Sequence, residues 1–422
     1  MAEIQPLRTL RYDLGAVGSL EAVIAPPYDV IDEPLRAELA ARSPFNVVEI
    51  DLPRAQGGGD PYLHAADTFQ AWRQEGVLIR EREGALWALR QEYTAPDGST
   101  RRRQGFFARV RVEDYGPGRI RPHERTHPGP KEDRLRLTRA TRANLSPIFS
   151  LFADADAGGS AGDVLERVTH EEPFATARDL DGTRNTLWRI DDPEGSSALR
   201  HSLADAELLI ADGHHRYETA RLYADEVGGE GEHRYVLMFL CSLSDRGLTV
   251  FPTHRLLTGL KDSPEKQQAI HEVLTRDFQV EEVAPELLQP DGHEIAFGYM
   301  DSFHRTPYRV TLKDPSISDA ALEGRPEAYR RLDTAVLEAL VLQGALGMSE
   351  DDIAHLRGLD YSKDLEDARD AVESGRADAG FFLSPTPVEQ VQAVAEAGES
   401  MPPKSTYFFP KIPTGLVFNL LE

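Results

Sequence analysis

Apolar positions recur at helical spacing over some stretches of this chain and alternate with polar ones over others. In "PYLHAADTFQAWRQEGV", a proline near the start and Gly76 at the stop bound a predicted helix. "ALWALRQEYTAPDGSTRRRQGFFARVRV" predicts two strands around a Pro-Asp-Gly turn, and "FATARDLDGTRNTLWRI" a second hairpin turning at Asp181-Gly182. "ELLIADGHHRYETARLYADEV" predicts a short apolar strand, a tight Asp-Gly turn and a helix, with strands to follow in "YVLMFLCSL" and "GLTVFPTH". The last third mixes helices in "SPEKQQAIHEVLTRDF", "DTAVLEALVLQGALG", "DLEDARDAVESG" and "TPVEQVQAVAEAGE" with strands in "IAFGYM", "YRVTL" and "AGFFLS", before a closing "TYFFPKIPTGLVFNLL". There is no regular βαβ alternation. The expected class is α+β, with mixed, hairpin-rich sheets and packed helices.

Turn-rich joints at 54–61, 154–163, 191–197 and 227–232 interrupt these patterns. A chain of 422 residues exceeds one small domain. The expected division is an N-terminal α+β region at 1–153, a middle region at 154–260 and a C-terminal α+β region at 261–422. The formal charge of −24 argues against nucleic acid as a main partner, since phosphate backbones are bound by surplus Lys and Arg. No apolar run approaches the ~20 residues of a membrane helix, and the N-terminus lacks a basic start with an apolar segment. The expectation is a cytoplasmic protein without membrane contact. Its single cysteine, Cys241, lies in an apolar run, which reads as core rather than nucleophile. One cysteine supports no intramolecular disulfide and no Cys-based zinc cluster.

His123-Glu-Arg-Thr-His127 spells the zinc-protease pattern H-E-x-x-H. That chemistry needs a helix running through both histidines, so that they share a face. Pro128-Gly129-Pro130 follows at once, and the residue before a proline is pushed out of the α region. No zinc is expected here. The stretch instead gathers His123, Glu124, Thr126, Lys131 and Arg134 around a stiff bend before a helix-compatible run, either as a solvated loop or as a supplier of cations and a carboxylate to an anionic ligand.

Ile210-Ala-Asp-Gly-His-His-Arg-Tyr-Glu-Thr-Ala220 is the most informative segment. An apolar strand enters a glycine turn and a helix begins at once, so unpaired N–H groups and the helix dipole make an anion site. Asp212 can cap that helix, accept a hydroxyl proton or hold Mg²⁺. Gly213 admits a ligand close to the backbone. His214, His215 and Arg216 add donors and charge, with Arg216 suited to a bidentate phosphate contact. The competing reading is a plain capped junction. Three cationic or titratable groups in a row are expensive as capping alone.

Lower-ranked pocket candidates are Tyr28 and Asp29 in "APPYDV", and His254 and Arg255 after a strand in "FPTHRL". Lys404, Ser405 and Thr406 can add phosphate contacts beside an aromatic run that can stack a base or simply fill a core.

"IADGHHRYETA", together with "APPYDVI", "HERTHPGPKEDR", "RANLSPIF", "FPTHRL" and "MPPKSTYFFPKIPTGLV", resembles the family called domain of unknown function 1015. More distantly, Asp212-Gly-His-His-Arg216 is similar to the phosphate-binding motif of the ParB/sulfiredoxin superfamily, which includes free-serine kinases. That resemblance implies a ParB/sulfiredoxin-like core in the middle region and nucleotide phosphates held at Gly213, His214, His215 and Arg216. It also implies catalysis by an Asp, which maps onto Asp212, and by a second acid with no matching position. Glu124 is the candidate for that acid, from the polar company it keeps. The expected function is phosphoryl transfer on serine or phosphoserine, by a kinase or a phosphatase. Asp212, Glu124 and His215 would be catalytic, Lys131 and Arg134 would assist with charge, and Mg²⁺ and a nucleotide would be cofactors. The alternative is a nucleotide-binding regulatory module without small-molecule turnover. A sulfiredoxin-like redox role is excluded by Gly213, which stands before "HHR" where a cysteine is required.

Overall fold

The computed structural model describes residues 2–55, 57–95, 98–124, 128–153, 161–292 and 294–422. The chain forms two compact units. The first comprises Met1–Pro122, Thr126–Thr249 and Pro410–Glu422; the second comprises His123–Arg125 and Val250–Phe409.

The first unit is built on a nine-stranded mixed sheet. Its strands are β1 (Ile4–Gln5), β2 (Leu86–Thr94), β3 (Thr100–Arg111), β4 (Ile120–Arg121), β5 (Ile148–Phe152), β6 (Ala175–Arg178), β7 (Arg184–Ile190), β8 (Leu208–Asp212) and β9 (Tyr235–Ser242). They lie in the order β4-β8-β5-β9-β3-β2-β7-β6, with β1 paired to β3. The predicted hairpins are present, β2–β3 in register from Trp87↔Phe107 to Thr94↔Thr100 and β6–β7 from Ala175↔Leu187 to Arg178↔Arg184. One sheet face packs Phe106, Ile148, Ile210, Met238 and Leu240 into a continuous core. Alternation along the strands puts these residues on a single side. Cys241 is fully buried in β9.

The boundary expected at 153/154 falls inside this sheet. β5 lies before it, yet pairs with both β8 and β9 beyond it. The described residues on both sides of the glycine-rich stretch therefore belong to one sheet, because strand pairing outweighs local turn composition. The second expected boundary, 260/261, falls near the crossing between units at Thr249/Val250.

Two helices lie beside the junction that follows β8, α1 (Pro128–Thr141) and α2 (His214–Val227). They pack on each other through Leu135 and Tyr223, with Leu421 completing the contact. The Pro-Gly-Pro run expected to bend before α1 is instead its first turn. Prolines fit there because the first N–H groups of a helix have no intrahelical acceptor.

In the second unit a six-stranded antiparallel sheet contains β10 (His254–Leu257), β11 (Phe278–Glu282), β12 (Ala296–Asp301), β13 (Tyr308–Leu312), β14 (Leu359–Ser362) and β15 (Ala379–Phe382). Their order is β11-β13-β12-β15-β10-β14. α3 (Pro264–Asp277) packs its Ile270 and Leu274 over Phe278, Phe297 and Phe381. "GLTVFPTH" yields two short strands, Thr249–Phe251 and β10, because Pro252 cannot donate to a ladder. The predicted helix over "DTAVLEALVLQGALG" begins as α at Asp333–Leu337 and widens into a π-helical run at Glu338–Ala345. Among the described residues, no helix is long and apolar enough to cross a membrane.

Candidate functional site

β8 delivers four buried apolar residues and then Asp212 to the start of α2. Gly213 stands between them at φ 98°, ψ 29°, left-handed backbone that glycine adopts without a steric penalty. A Cβ on Gly213 would lie 2.9 Å from Arg216 Nε. Asp212 does not cap α2, since Gly213 occupies the N-cap position and no side chain caps the helix. The turn directs the Asp212 carboxylate elsewhere. Its Oδ2 accepts from Arg216 Nη2 at 2.5 Å, one helical turn on, and its Oδ1 accepts from Lys411 Nζ at 2.7 Å.

Lys411 belongs to the C-terminal strap of this unit, and sequence reasoning passed over it. Gln91 donates from Nε2 to the Lys411 carbonyl at 3.0 Å, and the buried guanidinium of Arg103 donates to the carbonyl of Pro410. Both anchors come from the central hairpin. Lys411 and Asp212 are 11% and 15% exposed, so their charges attract each other with little screening. Burial works against a charged Asp212, but the Lys411 ammonium above all, then Arg216 and His214, outweigh it and hold the carboxyl well below the usual carboxylate range.

Arg216 is fully engaged on one edge. Beyond Asp212, its Nη1 donates to Ser146 Oγ at 2.8 Å and to the Pro147 carbonyl. Its Nε is buried without a hydrogen-bond partner. Ser146 and Arg216 line a cleft of about 40 Å³ with Tyr28, Asp51, Arg134 and Thr219. Arg134 lies with its guanidinium carbon 4.1 Å from the Tyr28 ring centroid and donates to the Asp51 carbonyl at 2.7 Å. Burial pushes the Tyr28 hydroxyl up to about 12. The Lys131 carbonyl accepts from Thr219 Oγ1 on α2 at 3.4 Å. Of the sequence candidates, the structure thus brings Tyr28, Lys131, Arg134, Asp212, Gly213, His214, His215 and Arg216 to neighbouring elements of one unit. Asp29, beside Tyr28, is exposed.

His123, Glu124, His254, Arg255, Lys404, Ser405 and Thr406 belong to the second unit. His123 Nε2 and Thr406 Oγ1 are 2.8 Å apart, Glu124 Oε1 accepts from the Lys404 N–H at 3.3 Å, and the His123 carbonyl accepts from Met401 N at 2.7 Å. Ser405 Oγ donates to the Pro402 carbonyl at 2.7 Å. Arg255 is buried, donates to the carbonyls of Thr253 and Pro403 and lies over the Tyr361 ring. His254 is fully buried, and its Nδ1 accepts from Leu383 N at 3.1 Å. These contacts tie strands and turns of the second unit together. Thr126 lies outside the described residues, as does His127, and His123 precedes α1 rather than standing on it.

Among the described residues, no group of three or more His, Cys, Asp or Glu side chains is placed to hold a metal ion. Lys411 carried one usable signal in the sequence. It is one of seven lysines in an arginine-dominated chain and stands close to two prolines, in "FPKIPTG".

No curated protein matches the chain. Among solved structures, it is similar to a free serine kinase in complex with AMP, at 16% identity and a TM-score of 0.35, covering 70% of this chain and 88% of that one. It is also similar to SbnI with a C-terminal truncation from Staphylococcus aureus, at 12% identity and a TM-score of 0.38, covering 73% and 85%. A conserved hypothetical protein from Pyrococcus furiosus matches at 17% identity and a TM-score of 0.35, covering 70% and 92%. The profile of one sequence family, "Protein of unknown function (DUF1015)", matches residues 4–335, which include "APPYDVI", "HERTHPGPKEDR" and "IADGHHRYETA". The chain belongs to the DUF1015 family.

Proposed function

We propose that the Asp212–Lys411–Arg216 cluster is the centre of a phosphoryl-transfer enzyme acting on serine or phosphoserine, as a free-serine kinase or a phosphoserine phosphatase. One observation carries this reading: a carboxylate held ionised by two cations at the mouth of a helix N-terminus. The cations and the first-turn N–H groups of α2 suit the charge of a transferring phosphoryl group. The carboxylate suits the proton of the attacking hydroxyl.

While Lys411 and Arg216 grip Asp212, its carboxyl is a poor base. A phosphate that draws these cations onto its own oxygens weakens their hold and raises the basicity of Asp212. Phosphate binding and activation of the base are then one event. In the kinase direction the serine oxygen attacks the terminal phosphorus, Asp212 takes the hydroxyl proton, and the departing nucleotide oxygen keeps the electron pair of the broken P–O bond. With water attacking the phosphorus of phosphoserine, Asp212 takes the water proton and inorganic phosphate is released. The serine oxygen leaves with the electron pair of the broken P–O bond and takes up a proton. The cleft that Arg216 shares with Ser146, Tyr28 and Arg134 is too small to enclose a nucleotide, so a nucleotide would have to bind outside it.

Mg²⁺ is commonly held by one or two carboxylates plus substrate phosphates. Asp212 would be free to contribute only after a phosphate had drawn Lys411 or Arg216 off it. When bound, the ion neutralises phosphate charge. Glu124 belongs to the second unit and is assigned no part in this chemistry.

A second reading, a nucleotide-binding switch without turnover, is favoured by the engagement of Arg216. A phosphate that captured Arg216 would release Ser146, Pro147 and Asp212 together.

Phosphorus NMR on purified protein with O-phosphoserine, AMP and Mg²⁺ tests the proposal, with Asp212→Ala as control. Growth of ADP that the variant lacks supports a reversible serine kinase, and free phosphate alone supports a phosphatase. An unchanged phosphoserine resonance overturns the enzymatic reading.

A further inference from the structure

The second unit contains a cavity of about 410 Å³ far removed in sequence from the Asp212 motif, within the size range of small-ligand sites. Asp333, at the start of its α-helical turn, lines it together with Glu294, Arg331, Thr386 and Gln390. The Asp333 carboxylate accepts only from the adjacent Thr334 N–H, at 2.6 Å, among the described residues, and no cation lies within ion-pair distance of it. Asp333 is half-buried and lines the cavity, so its carboxylate is placed to meet a cation that enters from solvent. Burial is also the main reason that its carboxyl is pushed up to about 6, with the Thr334 N–H and Arg255 offsetting this only in part.

Charge decides what that partner is. Arg331 is already neutralised by a two-pronged contact with Asp319, Nη1 to Oδ1 at 2.7 Å and Nη2 to Oδ2 at 3.3 Å. Glu294 and Asp333 therefore leave the cavity negative, which disfavours phosphates and carboxylates. Ile295, Leu312, Pro315, Pro385 and Pro387 supply the apolar wall. That wall favours a carbon-bearing cation over a strongly hydrated inorganic ion. Among the described residues, the lining holds no aromatic ring, so nothing there stacks on a base or a planar cation.

We infer that this cavity binds a small aliphatic amine, its ammonium group on the Asp333 carboxylate and its alkyl body along the proline-rich wall. Gln390, which lines the same cavity, can bond a second polar end of the ligand. The inference does not depend on the phosphoryl-transfer reading, since the two rest on different residues in different units.

Isothermal titration calorimetry of the full chain with 1,4-diaminobutane tests it, with 1,4-butanediol as the uncharged analogue of the same length. The expected result is saturable heat from the diamine, none from the diol, and binding weakened by at least about tenfold in Asp333→Asn, the loss of a hydrogen bond to a charged group. If Asp333→Asn does not fold, Gln390→Phe, which fills the cavity from its rim, should abolish the diamine heat instead. Absence of saturable heat from the diamine, equal binding of diamine and diol, or undiminished binding by a folded variant would each overturn the inference.

Discussion

Lys411 Nζ lies 2.7 Å from Asp212 Oδ1, joining residues 199 positions apart in the chain. The contact decides the charge state of the carboxylate that the proposed chemistry uses. Lys411→Met leaves Asp212 with Arg216 as its remaining ion-pair partner. Stability should fall by about 3 kcal/mol, the lower end of the cost of breaking a buried pair. Phosphoryl transfer should fall by at least ~100-fold, as when one donor to a developing anion is lost. Urea denaturation and a phosphorus NMR time course check the two parts separately.

Gly213→Ala places a side chain at φ 98° and within 2.9 Å of Arg216 Nε. We expect roughly 1–2 kcal/mol of destabilisation from the left-handed backbone. We also expect a loss of turnover beyond what unfolding explains, because Arg216 is pushed off Asp212. Comparing activity per folded molecule, with the folded fraction taken from circular dichroism, tests this.

Arg134 combines an ion pair to Asp51, a contact with Asp133 and a place over the Tyr28 ring. Lysine keeps the charge but cannot reproduce the planar fork. Arg134→Lys should therefore lower the urea midpoint, and under the phosphoryl-transfer reading it should raise KM for the phosphate ligand more than it lowers kcat. A variant with unchanged midpoint and KM would remove Arg134 from the site.

His254 gives a pH dependence with a definite sign. Burial, and secondarily Arg255, push its pKa down from 6.5 to about 4. Between those values the unfolded chain binds a proton that the folded chain refuses, so stability rises with pH across the window. The contribution is complete above pH 6.5 and lost as pH falls through about 4. It amounts to roughly 3 kcal/mol at a fully buried site. His254→Asn, which can still accept from Leu383 N, should flatten this part of the profile. An unaltered profile would contradict the assignment.

Much of the first unit was legible because its signals are local. Period-two alternation on either side of Pro96-Asp97-Gly98 specifies β2 and β3, and the apolar run before Asp212-Gly213 specifies β8 and α2. Lys411 was not legible as a site residue, since contacts distant in sequence, such as those from Gln91 and Arg103 on the central hairpin, bring its strap beside β8. The same limit explains the misplaced boundary at 153/154, where pairing partners lie on both sides of a glycine-rich stretch. The capping role expected of Asp212 failed for a stereochemical reason. Gly213 in left-handed backbone takes the cap position and turns the carboxylate toward cations that the motif alone does not reveal.

The most direct test is a crystal soaked with O-phosphoserine. The account predicts phosphate density at the N-terminus of α2, within hydrogen-bond reach of Lys411 or Arg216, with at least one of these cations drawn away from Asp212. Phosphate bound elsewhere, with the Asp212–Lys411–Arg216 contacts intact, would contradict it.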